Sequence, residues 1–139
     1  MSLIRLVYAS ESRLVDANRR SELDGILASA RRFNDQNGIT GFLLATDGAF
    51  AQVLEGPRDS VMETYGRIVV DARHAAFRLL VEEPIAARSF PGWAMGIAER
   101  DETTSFIFGL YGVSPEADLH AQPLETLVDL AGELARRPG

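Results

Sequence analysis

Apolar and polar positions alternate with the period of a strand from Leu3 to Ser10, with Ile4, Leu6 and Tyr8 on one face and Leu3, Arg5 and Val7 on the other. Both faces are mostly apolar, which predicts a central strand covered on each side. A polar stretch, Glu11 to Arg20, reads as loop. Ser21 is the expected N-cap of a helix, with Asp24 as a weaker capping-box partner. Leu23, Ile26, Leu27, Ala30 and Asn34 then keep to one helical face, so the carboxamide of Asn34 lies on an apolar stripe. Asn34 to Gly56 holds the helix end, a turn, a strand, a hairpin and a second strand. Gly38 and Gly41 are expected to free the backbone at that turn and inside the first of these strands. Asp47-Gly48 predicts a type I′ hairpin turn, in which both central residues take positive φ. Phe50, Gln52 and Leu54 share one face of the second strand.

Asp59 or Ser60 is expected to cap a second helix that runs to about Asp71 and buries Val61, Met62, Tyr65, Ile68 and Val69. Phe77 to Val81 reads as a strand closed by Pro84, Ala86 to Gly92 as loop, and Trp93 to Ala98 as a last strand. Alternation there would put Trp93, Met95 and Ile97 on one face. The order βαββαββ implies an α+β sandwich of the ferredoxin-like kind, with two helices on one face of the sheet. Past Asp101 the pattern turns helical. Glu102 to Tyr111 makes a short helix, and a second has Pro123 in its first turn and Leu124, Leu127, Val128, Ala131 and Leu134 as its stripe. The expected organisation is one domain over residues 1–100 and a helical extension over 101–139, covering the bare sheet face or joining a partner chain there.

Composition removes several chemistries. With no Cys there is no thiolate catalysis, iron–sulfur ligation or cysteinyl adduct, and with no Lys there is no Schiff base and no P-loop. A net charge of −6 argues against nucleic acid or an anionic membrane as a general partner, although a local cluster such as Arg31-Arg32 can still meet one phosphate group. The N-terminus lacks the build of a signal peptide and no run is long enough to span a bilayer, so the chain reads as cytoplasmic.

The polar residues on apolar stripes carry the functional signal. If their faces meet between sheet and helices, Tyr8, Asn34 and Gln52 bring a phenol and two carboxamides into one apolar compartment. Buried groups of this kind need partners, at about 1–3 kcal/mol for each one left unpaired. Apolar walls with a few fixed donors and acceptors suit a planar heterocycle bearing amide groups, such as an isoalloxazine. Taken singly, the same residues have plainer readings. Tyr8 is then a core tyrosine and Asn34 a helix cap, Arg67 and Asp71 form a surface i, i+4 ion pair, and His74 is a surface histidine. Trp93 and Met95 read as core, and Glu55 with Asp59 as solvated loop carboxylates. Gln52 is the hardest to account for in this way.

Several motifs, in order and over about Leu3 to Glu99, resemble the BLUF domain, the bacterial blue-light sensor that uses FAD: RLVYAS, FNDQNGITGFLL, FAQVLEGP, YGRIVVDARH and EEPIAARSFPGWAMG. The resemblance implies non-covalent FAD binding. It implies that Tyr8 is the photochemical electron and proton donor, and that Gln52 is the residue whose hydrogen bonds rearrange after light. It implies that Asn34 holds the pyrimidine edge of the ring, that Arg67 and Asp71 lie near its polar edge and ribityl chain, and that Arg73 and His74 add contacts. Ile26 and Arg31 complete the expected binding set. Trp93 and Met95 match the pair that relays the signal from the last strand. Phe33, Ala30 and Ala51 depart from the family's usual residues, which bears on tuning. The resemblance also implies a short sensor without its own output domain, not an enzyme, acting through a separate downstream protein and self-association as a homodimer or higher oligomer. Two other classes share the fold: an enzyme of the acylphosphatase type, and an oligomerisation domain without flavin.

Overall fold

The structure is a computed structural model that describes residues 2–136. Its strands are β1 (Leu3–Ser12), β2 (Thr40–Ala45), β3 (Ala49–Pro57), β4 (His74–Ile85) and β5 (Gly96–Glu99). Its α-helices are α1 (Arg19–Asn37), α2 (Arg58–Ile68), α3 (Ser105–Leu110) and α4 (Leu124–Ala135). The strands form one sheet in the order β4-β1-β3-β2-β5, antiparallel except where β5 lies parallel to β2. This is the α+β, ferredoxin-like arrangement that the pattern predicts. β1 is an interior strand, between β4 and β3, and its alternation feeds two cores. Ile4, Leu6 and Tyr8 pack with Leu23 and Leu27 of α1 and Val61 of α2. Val7 and Ala9 pack on the opposite face with Ile107 and Phe108 of α3 and with Leu127, Leu130, Ala131 and Leu134 of α4. Each fully buried Leu or Phe is worth about 1.5–3 kcal/mol. The helical tail is therefore part of the second core, and its stripe includes Leu130 as well as the expected residues. Residues 137–139 of the expected extension lie outside the described residues.

Several local expectations are corrected. α1 begins at Arg19, two residues before Ser21, whose hydroxyl donates back to the Asn18 carbonyl instead of capping. The N-cap of α2 is Pro57, not Asp59 or Ser60; the helix ends at Ile68, and Val69 is exposed. Pro84 does not close β4 but lies inside it, which an edge strand tolerates because one side of its backbone needs no donor. Gly38 takes the left-handed conformation (φ 70°) as the C-cap of α1. Gly41 has a different reason to be glycine: a Cβ there would lie 2.0 Å from the Val53 carbonyl oxygen.

The β2–β3 hairpin forms, but not through a type I′ turn, since neither Asp47 nor Gly48 has positive φ. Thr46 closes it instead. Its N–H donates to the Ala49 carbonyl (3.0 Å), and its hydroxyl accepts from the Ala49 N–H (3.1 Å) and donates to Asp118 Oδ1 (2.7 Å). Asp118 comes from the tail and is buried, so the turn is shaped by a contact 72 residues away in sequence.

Glu55 is not a loop carboxylate. It lies fully buried in β3, opposite Arg5 on β1. Arg5 donates twice to Oε2 (3.1 and 3.0 Å), while the backbone N–H groups of Ser89 and Phe90 donate to Oε1 (2.8 and 3.0 Å). This clamp fixes the start of the loop that carries Trp93 and Met95. Glu55→Ala would leave Arg5 with only Glu83 and Ser89 as side-chain partners and would remove the acceptor of the part-buried Ser89 N–H and the buried Phe90 N–H, at about 3–5 kcal/mol of stability. Urea unfolding of the variant should show a loss of that order; a loss under about 1 kcal/mol would mean the clamp is replaced by water.

Candidate functional site

Between α1, α2 and the sheet lies a cavity of about 190 Å³. Ile26 and Ala30 of α1, Leu43 and Phe50 of the sheet and Ile68 at the end of α2 supply apolar wall. Tyr8, Asn34, Gln52, Thr64 and His74 supply polar atoms, and Arg67, Asp71 and Arg73 supply charge. The phenol and two carboxamides that the stripes point inward thus do converge.

Tyr8 and Gln52 are direct cross-strand partners in the β1–β3 register. The Tyr8 hydroxyl donates to Gln52 Oε1 at 2.6 Å, and Gln52 Nε2 donates to the Met95 sulfur at 3.2 Å. Both are almost fully buried. Burial pushes the Tyr8 phenol far above its ordinary pKa, so it stays protonated at any physiological pH. The rings of Tyr65, Phe77 and His74 surround it, with centroids 5.6, 5.7 and 6.1 Å away. A thioether is a weak acceptor, and the Gln52 amide carries a second N–H and a second lone pair besides. The amide therefore has hydrogen-bonding capacity left for whatever lies in the cavity.

Asn34 is not a cap, because α1 continues to Asn37. It is 2 % exposed, and its Nδ2 donates to the Ala94 carbonyl (2.7 Å). Arg31 lies outside the cavity wall, its Nε donating to the Met95 carbonyl at 3.0 Å. Arg67 and Asp71 do not pair as i, i+4 residues, because α2 ends between them. Asp71 is bound instead by Arg73, whose side-chain hydrogen bond holds the carboxyl below its usual range. The Arg67 guanidinium lies over the Phe33 ring, 4.1 Å from its centroid. Nor is His74 a surface residue. Its Nδ1 lies 2.9 Å from Ser10 Oγ, its ring packs on Phe77 and Phe50, and burial lowers its pKa from the ordinary imidazole value, favouring the neutral ring.

The structure separates Trp93 from Met95. β5 starts only at Gly96, so the two precede the strand and its alternation does not apply. Met95 is buried against the cavity. Trp93 is 40 % exposed on the tail side, its ring edge-on to Phe42 at 5.8 Å. Sequence reasoning missed Ser29, Leu43 and Thr64 as cavity residues. Ser29 and Thr64 stand three residues after Ile26 and Val61, a spacing that marks the same helical faces.

The family model described as sensors of blue-light using FAD matches residues 3–96. The chain belongs to the BLUF family. Among curated relatives, photoactivated adenylate cyclase subunit beta of Euglena gracilis is 35% identical over 106 residues, 76% of this chain but 12% of that protein. The blue light- and temperature-regulated antirepressor BluF of Escherichia coli is 32% identical over 111 residues, 76% of this chain and 27% of that protein. The chain thus spans a small part of the curated relatives it matches. Solved structures match over nearly the whole chain. BlsA in its photo-activated state has a TM-score of 0.84 at 31% identity, covering 98% of this chain and 96% of that one. The dark-state structure of BlrB has a TM-score of 0.78 at 31% identity, covering 96% and 97%.

FAD is the cofactor of this BLUF chain, and the residues around the cavity fit a flavin. The walls are apolar and aromatic, and the Asn34 and Gln52 amides offer the donors and acceptors that ring carbonyls and a ring N–H need. The family that this chain belongs to is described as sensors of blue light, which is not the acylphosphatase class that shares the fold. Among the described residues, no helix is long and apolar enough to cross a membrane.

Proposed function

We propose that the chain is a blue-light photoreceptor in which Tyr8 donates an electron and a proton and Gln52 rearranges its hydrogen bonds, so that a red-shifted signalling state reaches a separate protein. The observation that carries this reading is the line Tyr8 Oη–Gln52–Met95 Sδ at the cavity wall. Bound FAD supplies a blue-absorbing chromophore that is strongly oxidising once excited. Tyr8 holds its proton on a 2.6 Å hydrogen bond to Gln52 Oε1, which gives the proton a path as the phenol is oxidised. Reversal or tautomerisation of the Gln52 amide exchanges acceptor for donor toward Tyr8 and loosens its bond to the weakly accepting Met95 sulfur. Ile26, Asn34, Arg67, Asp71, Arg73 and His74 are the binding residues within this reading, and Arg31 serves from outside by fixing Met95.

Output follows from what Met95 touches. The carbonyls of Met95, Ala94 and Trp93 are held by Arg31, Asn34 and the Gly41 N–H, and the Trp93 side chain borders α4 across a second cavity with Val128 and Gly132. A change at Gln52 is thereby passed to the tail, whose residues from 101 onward form the output segment of the 1–100 sensor. Its docking differs between dark and light, on the sheet or across a homodimer interface, and the partner reads that difference. The test is direct. Purified protein should release FAD on denaturation, show a reversible red shift under blue light, and change amide hydrogen exchange across residues 93–136 when lit. A normal red shift with identical protection would sink the tail route, and colourless protein that takes up no flavin would sink the reading altogether.

A further inference from the structure

The cavity that Trp93 shares with α4 has a volume of about 520 Å³ and lies on the tail side of the sheet, away from the flavin cavity. Phe90, Trp93 and Tyr111 line it with three aromatic rings, and Val128, Asp129 and Gly132 line it from α4. The aromatic wall is held in place before anything binds. Phe42 packs on both Phe90 (stacked, centroids 5.8 Å apart) and Trp93 (edge-on, 5.8 Å), and Glu55 accepts from the Phe90 N–H. On the helix side the wall is open: among the described residues, a Cβ at Gly132 would meet only Arg136 Nη1, at 3.6 Å. The free charge here is negative. Among the described residues the Asp129 side chain enters no ion pair or hydrogen bond, whereas Arg136, the basic residue at this wall, is engaged by Glu133 Oε1 at 3.2 Å. Glu125 and Glu133 stand four residues to either side of Asp129 on α4, which adds to the negative potential.

We propose that this cavity binds a methylated organic ammonium ion, with the rings of Phe90, Trp93 and Tyr111 around the cation and Asp129 as its counter-charge. Aromatic faces attract cations through the ring quadrupole, and a set of such faces is the chemistry that recognises a quaternary ammonium group. A carboxylate beside them adds direct attraction, and the volume falls in the range of small-molecule sites. A ligand here ties the 89–93 loop to α4, which gives the chain a chemical input separate from light. The site shares no lining residue with the flavin cavity, so it stands or falls apart from the flavin reading.

Trp93 is the single tryptophan of the chain, so its fluorescence reports on the site directly. Choline titrated into the full-length protein in the dark should change that emission saturably, with half-saturation at about 1 mM or below, against sodium chloride at matched concentration. The neutral molecule of the same shape, 3,3-dimethyl-1-butanol, should bind about tenfold more weakly. Asp129→Asn should weaken choline about fivefold and leave the alcohol unchanged, while Gly132→Leu, which fills the cavity, should weaken both. Both variants should keep their flavin absorption, because neither residue borders the flavin cavity. No saturable change with choline up to about 10 mM would overturn the proposal. Equal binding of choline and the alcohol would also overturn it, since the cavity would then recognise apolar bulk and not charge. So would choline binding that Asp129→Asn leaves unaltered.

Discussion

Gln52→Leu is expected to give a yellow protein with no light-induced red shift. The ring site keeps its apolar walls and Asn34, so flavin remains bound, while the one side chain that joins Tyr8 to Met95 loses both its donor and its acceptor. Leucine is close to glutamine in size, so the replacement keeps the volume of this buried position. The cost falls on the Tyr8 hydroxyl, which loses its acceptor at about 1–3 kcal/mol unless it turns to the cofactor. Absorption difference spectra before and after blue light measure the outcome. A normal red shift in this variant would remove Gln52 from the switch and transfer the role to another polar group at the cavity, with Asn34 first.

Tyr8→Phe should retain flavin, lengthen its fluorescence and form no stable signalling state. Phenylalanine keeps the packing against Tyr65 and Phe77 but has no hydroxyl proton and is much harder to oxidise. The raised pKa of Tyr8 sharpens this expectation. A phenol that cannot ionise in the dark must release proton and electron together or in close succession, and Gln52 Oε1 is the acceptor in place. Time-resolved fluorescence and the light-minus-dark spectrum read the two effects separately. A full red shift would move the donor role elsewhere. Trp93 packs edge-on to Phe42, in the core on the tail side of the sheet, which leaves Tyr65, with its ring centroid 5.6 Å from that of Tyr8.

Local patterning carried much of this protein. Period two in β1 and β3 put Tyr8 and Gln52 on the buried face, and the helical stripe of α1 put Asn34 there, because side-chain direction follows from backbone period alone. Family motifs supplied what periodicity does not: the identity of the cofactor and the roles of these residues. Tertiary structure decided whatever depended on partners distant in sequence. Glu55 looked like a solvated loop acid because Arg5 and the Ser89–Phe90 backbone, 50 and 34 to 35 residues away, give no local sign of enclosing it. The Asp47-Gly48 turn departed from its intrinsic preference because Thr46 and the tail residue Asp118 closed the hairpin with side-chain bonds. Asp71 paired with Arg73 rather than Arg67 because α2 stopped at Ile68, and helical spacing has no meaning beyond a helix end. Trp93 and Met95, equivalent by alternation, were sent to opposite faces because the strand began only after them; the pleat orders side chains only where backbone pairing holds it.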